Sequence, residues 1–240
     1  MQTAVISGVG PLDGLGAQLA LRFAGMGLHV IVAGRSQDKL DKVASAIERA
    51  GGQATAVVAD ATREEATVAL FERATALGRI ECAIFNAGNN MPGLIEDMTL
   101  EHFETCWRIG CLGGFLFGRA ALRHMRQAGQ GSILFTGASA SLRGKANFGA
   151  FTSAKAGLRA FAQALAKEAG PLGIHVGHVV IDGAINGDKI RTRFPQYADK
   201  LGADGMVDLN AIVDCYEFLH RQPQRGWSFE VDVRTAIESW

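Results

Sequence analysis

The stretch AVISGVGPLDGLG, residues 4–16, determines how the rest of the chain is interpreted. Its first part is a short apolar run, and its second part contains four glycines and opens a helical pattern. A strand that enters a helix through a glycine-rich turn brings bare backbone amides to the positive end of the helix, where a phosphate group binds well. The stretch therefore predicts a phosphate site. Its candidate residues are Gly8, Gly10, Gly14, Leu15 and Gly16.

Short β-rich runs alternate with helical patterns along almost the whole chain. The runs are largely apolar on both faces, as in a parallel sheet covered by helices, and they occupy residues 4–6, 30–33, 54–58, 80–85, 132–135 and 176–181. Between the first two runs, Leu15, Leu19, Phe23 and Met26 form one stripe of a helix. No repeat or linker divides the chain. We therefore expect a single α/β domain over residues 1–240, with a Rossmann-type, doubly wound parallel sheet.

Composition and charge exclude several classes of protein. Lysine plus arginine and aspartate plus glutamate both number 24, so no basic field favours nucleic acid or an anionic membrane. No apolar run reaches the roughly 20 residues that cross a bilayer, and the N-terminus lacks the basic patch of a secretory signal. The 4 cysteines have neither metal-site nor disulfide spacing. We expect a cytoplasmic, metal-free protein that binds neither nucleic acid nor membranes.

Residues after the second and third strands indicate which nucleotide binds. In a doubly wound sheet, ligands lie at the carboxyl ends of the strands, and Arg35 stands where an adenosine ribose would lie. An acidic residue there suits NAD, whereas a guanidinium suits a 2′-phosphate, so Arg35 favours NADP over NAD. The alternative is a solvated arginine. Asp60, followed by Ala61, is a candidate contact for the adenine, because Thr62 better suits the cap of the next helix.

Together these features resemble the short-chain dehydrogenase/reductase family over almost the full length of the chain. The resemblance is carried by Gly10-x3-Gly14-x-Gly16, Asp60-Ala61, Asn86-Ala87-Gly88 and Ser153-Ala154-Lys155. It implies that these glycines, Asp60, Ala61, Asn86, Ala87, Gly88 and Lys155 bind a nicotinamide dinucleotide. It also implies hydride transfer to or from a carbonyl or alcohol carbon, in homodimers or homotetramers built from the helices after strands four and five.

The glycine turn fits the family spacing in two registers. Gly10 matches without a gap, whereas Gly8 lies where an alignment anchored on the strand would place the first glycine. In the second register, Leu12 and Asp13 are a two-residue insertion. Both registers remain open at the level of sequence.

The chain departs from the family pattern at the reaction centre. There, the resemblance implies a tyrosine that exchanges the substrate proton, a lysine that lowers its pKa and holds the nicotinamide ribose, a serine that steadies the substrate oxygen, and an asparagine that organises a water. Here Phe151 stands at the tyrosine position and Gly110 at the asparagine position. Ala138 falls at the serine position, so Ser139, one residue beyond, is the candidate serine. Lys155 matches.

Two functions follow from this mixture. The first is an NADP-dependent oxidoreductase with an atypical proton donor, for which Ser139, Thr152, Tyr197 and water are candidates. The second is a catalytically silent dinucleotide-binding protein, acting as a sensor or scaffold. A set of apolar residues suggests a hydrophobic small-molecule carbonyl or alcohol substrate, although the same residues suit an ordinary core. They are Met91, Leu94, Ile95, Phe148 and Phe151.

Overall fold

The computed structural model describes residues 1–238, whose centre is a parallel sheet. The strands are β1 (Gln2–Ser7), β2 (His29–Gly34), β3 (Gln53–Val58), β4 (Arg79–Phe85), β5 (Gly131–Thr136), β6 (Ile174–Asp182), β7 (Ala184–Ile185), β8 (Met206–Val207) and β9 (Glu230–Arg234). The central sheet has the order β3-β2-β1-β4-β5-β6-β9, and β7 pairs with β8 separately. The predicted Rossmann-type sheet is confirmed.

Helices cover both faces of this sheet. They are α1 (Leu15–Gly25), α2 (Gln37–Arg49), α3 (Glu64–Leu77), α4 (Leu100–Trp107), α5 (Gly113–Met125), α6 (Gly149–Ala169), α7 (Asp188–Arg193), α8 (Pro195–Leu201) and α9 (Leu209–Arg221). A π-helical turn, Arg108–Leu112, joins α4 to α5. Among residues 1–238, no helix combines the length and apolar character needed to cross a bilayer.

The alternation of side chains along each strand creates two cores. In β1, Ala4 and Ile6 pack in the core that includes α1, α2 and α9, whereas Val5 packs in the core with α3, α5 and α6. This explains why the strand runs are apolar throughout, since neither face of the sheet meets water.

The order of the strands places the functional site. The chain builds outward from β1 to β3 and then returns to add β4 on the other side of β1. In sheets of this kind, ligands bind beyond the carboxyl ends of the strands at this reversal. The glycine turn after β1 and the Asn86 segment after β4 lie side by side there.

Candidate active site

Two glycines in the turn after β1 are required by close contacts. Gly8 has a φ of +89°, and a Cβ built on it would lie 2.4 Å from the backbone nitrogen of Ala87. A Cβ on Gly16 would lie 2.7 Å from the carbonyl oxygen of Gly8, whereas one on Gly10 would meet nothing within 4 Å. The contacts therefore favour Gly8 as the first glycine of the turn. In that register, Leu12 and Asp13 lengthen the turn by two residues.

The start of α1 has the properties of an anion site. Gly14 is the N-cap, with an extended backbone, and its amide donates to the carbonyl of Pro11 at 3.0 Å. The first amides of a helix have no partner within the helix, which leaves those of Leu15 and Gly16 for a ligand. The first turn of α1 contains no acidic residue. The first helical turn of α1 therefore brings no negative charge to a bound phosphate.

A directional chain of hydrogen bonds runs beneath the turn. The side-chain amide nitrogen of Asn86 donates to the carbonyl of Gly8 at 3.1 Å, so its Oδ1 is the acceptor of the Thr136 hydroxyl at 3.0 Å. Because the single hydroxyl proton of Thr136 is used there, Tyr216 donates to Thr136 Oγ1, with 2.6 Å between the oxygens. Asn86 thus supports the turn with its side chain, rather than pointing it at a ligand.

We predict that Thr136→Val destabilises the fold. The substitution keeps the shape of the side chain but leaves the Tyr216 hydroxyl and the Asn86 Oδ1 without their hydrogen-bond partner, which costs about 1–3 kcal/mol in the free energy of unfolding. Denaturant titration of the variant measures this loss. Thr192→Val, on the exposed face of α7, is the matched control. Equal stability of the two variants would contradict the chain of hydrogen bonds.

Lys155 is a buried cation at the same end of the sheet. Its Nζ donates to the carbonyl oxygen of Thr136 at 2.7 Å, and a Cβ on Gly88 would lie 3.5 Å from that nitrogen. Burial, together with the charge of Lys189, lowers the pKa of Lys155 to about 8. The Phe151 ring centroid is 5.9 Å from Nζ. Phe151 therefore presents an apolar ring, with no proton to donate, beside the ammonium.

Close packing against α6 explains why position 110 is a glycine. A Cβ on Gly110 would lie 2.9 Å from the Cβ of Ala154, because the π-helical turn presses against α6. An asparagine side chain would collide with α6 in this arrangement.

The other candidate proton donors occupy different surroundings. Ser139 is partly exposed and opens a short 3-10 turn after β5, whereas Ser141 is buried and accepts the amide of Ala138 at 3.2 Å. The Thr152 hydroxyl oxygen is shielded from solvent and has no hydrogen-bond partner within residues 1–238, which disfavours it as a donor to a ligand in an open cleft. Tyr197 is half-exposed on α8.

The expected cap at Thr62 is wrong. The Asp60 Oδ1 accepts the backbone amide of Thr62 at 2.9 Å and its hydroxyl at 2.8 Å, and the N-cap position of α3 belongs to Arg63. An aspartate commonly binds the backbone two residues on, and this local turn outcompetes capping. The Thr62 amide is also the main cause of the lowered pKa of Asp60, to which the charge of Arg35 contributes.

The remaining candidates lie just beyond the carboxyl ends of β2 and β3. Arg35 is exposed and makes no hydrogen bond or ion-pair contact in the described part of the chain. Ala61 follows Asp60, and its carbonyl oxygen lies 3.0 Å from where a Cβ on Gly113 would be. The structure thus joins Arg35 and Asp60 after β2 and β3, and separately joins Gly8, Gly16, Asn86 and Ala87.

Sequence reasoning missed Thr136 and Tyr216. Thr136 is a polar residue at the end of an apolar strand, which is a weak signal at best. Tyr216 lies in a helical stripe of α9, and burial raises its pKa. Their contact joins positions 80 residues apart, so no local sequence pattern predicts it.

Known proteins resemble this chain in both sequence and structure. Residues 2–196 match the short chain dehydrogenase family. A short-chain dehydrogenase from Rhodopseudomonas palustris is 36% identical, with a TM-score of 0.83 over 97% of this chain and 98% of that one. The uncharacterized oxidoreductase YuxG of Bacillus subtilis is 34% identical over 185 residues, which are 75% of this chain but 27% of that relative. Versicolorin reductase 1 of Aspergillus parasiticus is 31% identical over 189 residues, 78% of this chain and 71% of that relative. The chain therefore belongs to the short-chain dehydrogenase family of nicotinamide-dependent oxidoreductases.

Proposed function

We propose that the protein transfers hydride between NADP(H) and the carbonyl or alcohol carbon of a small molecule, with a proton donor other than the side chain at position 151. The observation that carries the proposal is the meeting of the glycine turn and the buried Lys155 at one end of the sheet. The relative versicolorin reductase 1 is named as a reductase, which supports the same class of reaction.

The residues of the cleft fit a dinucleotide. Gly8 and Gly16 carry no side chain in the turn, so a diphosphate can approach the free backbone amides of Leu15 and Gly16. Lys155 is a buried ammonium without a carboxylate within ion-pair distance in residues 1–238, so a ligand with hydroxyls or negative charge would complete its surroundings. Bound there, the nicotinamide supplies or accepts the hydride.

Polar side chains of the protein bind the ribose and the substrate oxygen and supply the proton. We assign the ribose hydroxyls to Lys155 and the substrate oxygen to the hydroxyl of Ser139. With a pKa of about 8, the Lys155 ammonium can pass a proton to the substrate oxygen through a water near neutral pH. The Phe151 side chain contributes no hydroxyl beside the ammonium, so the relay lacks a fixed acid. We expect slow turnover for this reason.

We further propose a preference for NADP over NAD. Arg35 is exposed and has no competing ion-pair contact, so its guanidinium is available to a 2′-phosphate. Arg35→Ala is expected to weaken the binding of NADPH about tenfold, because it removes a charge-assisted hydrogen bond, and to leave NADH unaffected.

Calorimetric titration with each coenzyme tests this preference. Arg49→Ala, an exposed arginine at the end of α2, is the control and should change neither affinity. Tighter binding of NADH than NADPH by the unsubstituted protein would overturn the assignment of Arg35.

An apolar entrance supports a hydrophobic substrate. Met91, Leu94 and Ile95 are exposed in the loop after β4. The amide of Gly93 donates to the carbonyl of Asn147 at 2.8 Å, which holds this loop against the start of α6, close to Phe151. Exposed apolar side chains grouped at the mouth of a cleft are typical of a ligand site rather than of a core.

Phe151 and Gly110 also motivate a second candidate, a silent dinucleotide-binding protein. At both positions this chain lacks the proton-handling side chain that the family resemblance implies. A panel of carbonyl compounds with NADPH separates the two functions. Oxidation of NADPH above that of a Lys155→Ala variant supports the enzyme, whereas tight NADPH binding without turnover supports the sensor or scaffold.

We propose that the protein acts in the cytoplasm as a homodimer or homotetramer. Apolar side chains exposed on α4 and α5 support assembly through those helices; they are Leu100, Phe103, Trp107 and Phe115. Light scattering of the purified protein measures the mass of the assembly.

A further inference from the structure

Two lysines from distant parts of the chain are close enough to affect each other's charge. Lys155 lies in α6, and Lys189 is the second residue of α7. The charge of Lys189 is close enough to disfavour the protonated form of Lys155. Lys189 is exposed to solvent, but partial desolvation by the surrounding chain and the charge of Arg193 lower its pKa as well. Neither lysine forms a salt bridge within residues 1–238. Both ammonium groups can therefore form an ion pair with a ligand.

The backbone fixes the start of α7 to the glycine turn. The amide of Asp188 donates to the carbonyl oxygen of Asp13 at 3.0 Å. A Cβ on Gly187 would lie 2.8 Å from the same oxygen, so only glycine permits this approach. Asp13 belongs to the two-residue extension of the turn. Lys189 is thus one residue from a contact with the element that is suited to hold a diphosphate.

We propose that Lys189 binds the diphosphate of the dinucleotide, and that the carbonyl of Asp13 positions it to do so. The inference rests on the proposed function and adds a specific ligand to it. Two ammonium groups without a salt bridge in residues 1–238 suit an anion, and a lysine ammonium binds phosphate well as a point charge. A neutral carbonyl substrate would bring no negative charge to either ammonium.

Binding measurements with ligands that contain or lack the diphosphate test this inference. The probes are NADPH, 2′-phospho-ADP-ribose, which lacks the nicotinamide, and adenosine 2′-monophosphate, which lacks the diphosphate. Lys189→Ala is expected to weaken the first two about tenfold and to leave the third unchanged, because it removes one charge-assisted contact to phosphate. Lys189→Arg, which keeps the charge, should retain most of the affinity. Lys200→Ala, in the adjacent α8, should bind all three probes normally.

A second variant tests the anchor itself. Gly187→Ala keeps Lys189 but forces a methyl group against the Asp13 carbonyl, so it should weaken NADPH and spare adenosine 2′-monophosphate. Unchanged NADPH affinity in Lys189→Ala would overturn the inference, as would a loss of kcat at unchanged affinity, which would place Lys189 at the substrate. If the unsubstituted protein binds neither NADPH nor NADH, the proposed function itself fails, and the inference fails with it.

Discussion

Phe151→Tyr is expected to raise kcat for carbonyl reduction about 100-fold, because a positioned general acid typically contributes 10²–10⁴ in rate. The Phe151 ring centroid is 5.9 Å from Lys155 Nζ, so a hydroxyl added to this ring would lie near the ammonium. The positive charge would lower the pKa of the new phenol and ready it to exchange a proton. Steady-state oxidation of NADPH with a panel of carbonyl compounds measures the gain.

Phe218→Tyr is the matched control for this prediction. It adds the same hydroxyl to an exposed aromatic ring on α9, which belongs to none of the candidate binding residues. The control should leave kcat unchanged, and both variants should bind NADPH as the unsubstituted protein does. An unaltered kcat in Phe151→Tyr, with the cofactor bound, would show that position 151 is not the place of the missing acid.

Lys155→Met is expected to reduce turnover about 100-fold or more, because it removes the group that we assign to the ribose and to the proton relay. The same change should stabilise the fold at pH 7. Burial lowers the pKa of Lys155 to about 8 in the folded protein, so the ammonium form favours the unfolded chain, in which the pKa is near 10.5. Methionine keeps the apolar stem without the charge.

The pH dependence of this stabilisation has a definite sign. Between about pH 8 and pH 10.5 the unfolded chain binds more protons at this residue than the folded protein does, so this residue makes the unsubstituted protein more stable as the pH rises. The advantage of Lys155→Met should therefore shrink from pH 7 to pH 9.5 in thermal unfolding. Lys167→Met, at the exposed end of α6, controls for loss of a lysine. An advantage that grows with pH would contradict the buried charge.

The arrangement of strands was predictable because apolar character is local. The run 80–85 lies inside β4 and the run 132–135 inside β5, since a strand covered on both faces has apolar residues throughout. The register of the glycine turn was not predictable. It depends on whether Gly8 or Gly10 touches another element, and the contact of Gly8 is with Ala87, which enters from β4.

The candidate site shows the same division between local and distant causes. Lys155 was implied by the resemblance of Ser153-Ala154-Lys155 to the family motif, and the structure buries it beside Thr136. Its support by Thr136 and Tyr216 crosses 80 residues of sequence and has no local signature. The capping role of Thr62 was mispredicted because two local hydrogen-bonding patterns competed for the same hydroxyl, and the one with Asp60 is formed.

Transfer of deuterium tests the central claim most directly. The unsubstituted protein is mixed with NADPH that is deuterated at the transferable position of the nicotinamide and with a panel of apolar ketones, and the alcohols are analysed by mass spectrometry. We predict an alcohol one mass unit heavier than with ordinary NADPH, formed at a rate that falls in Lys155→Met. Saturable binding of NADPH with no labelled alcohol from any ketone would contradict hydride transfer and leave a protein that only binds the dinucleotide.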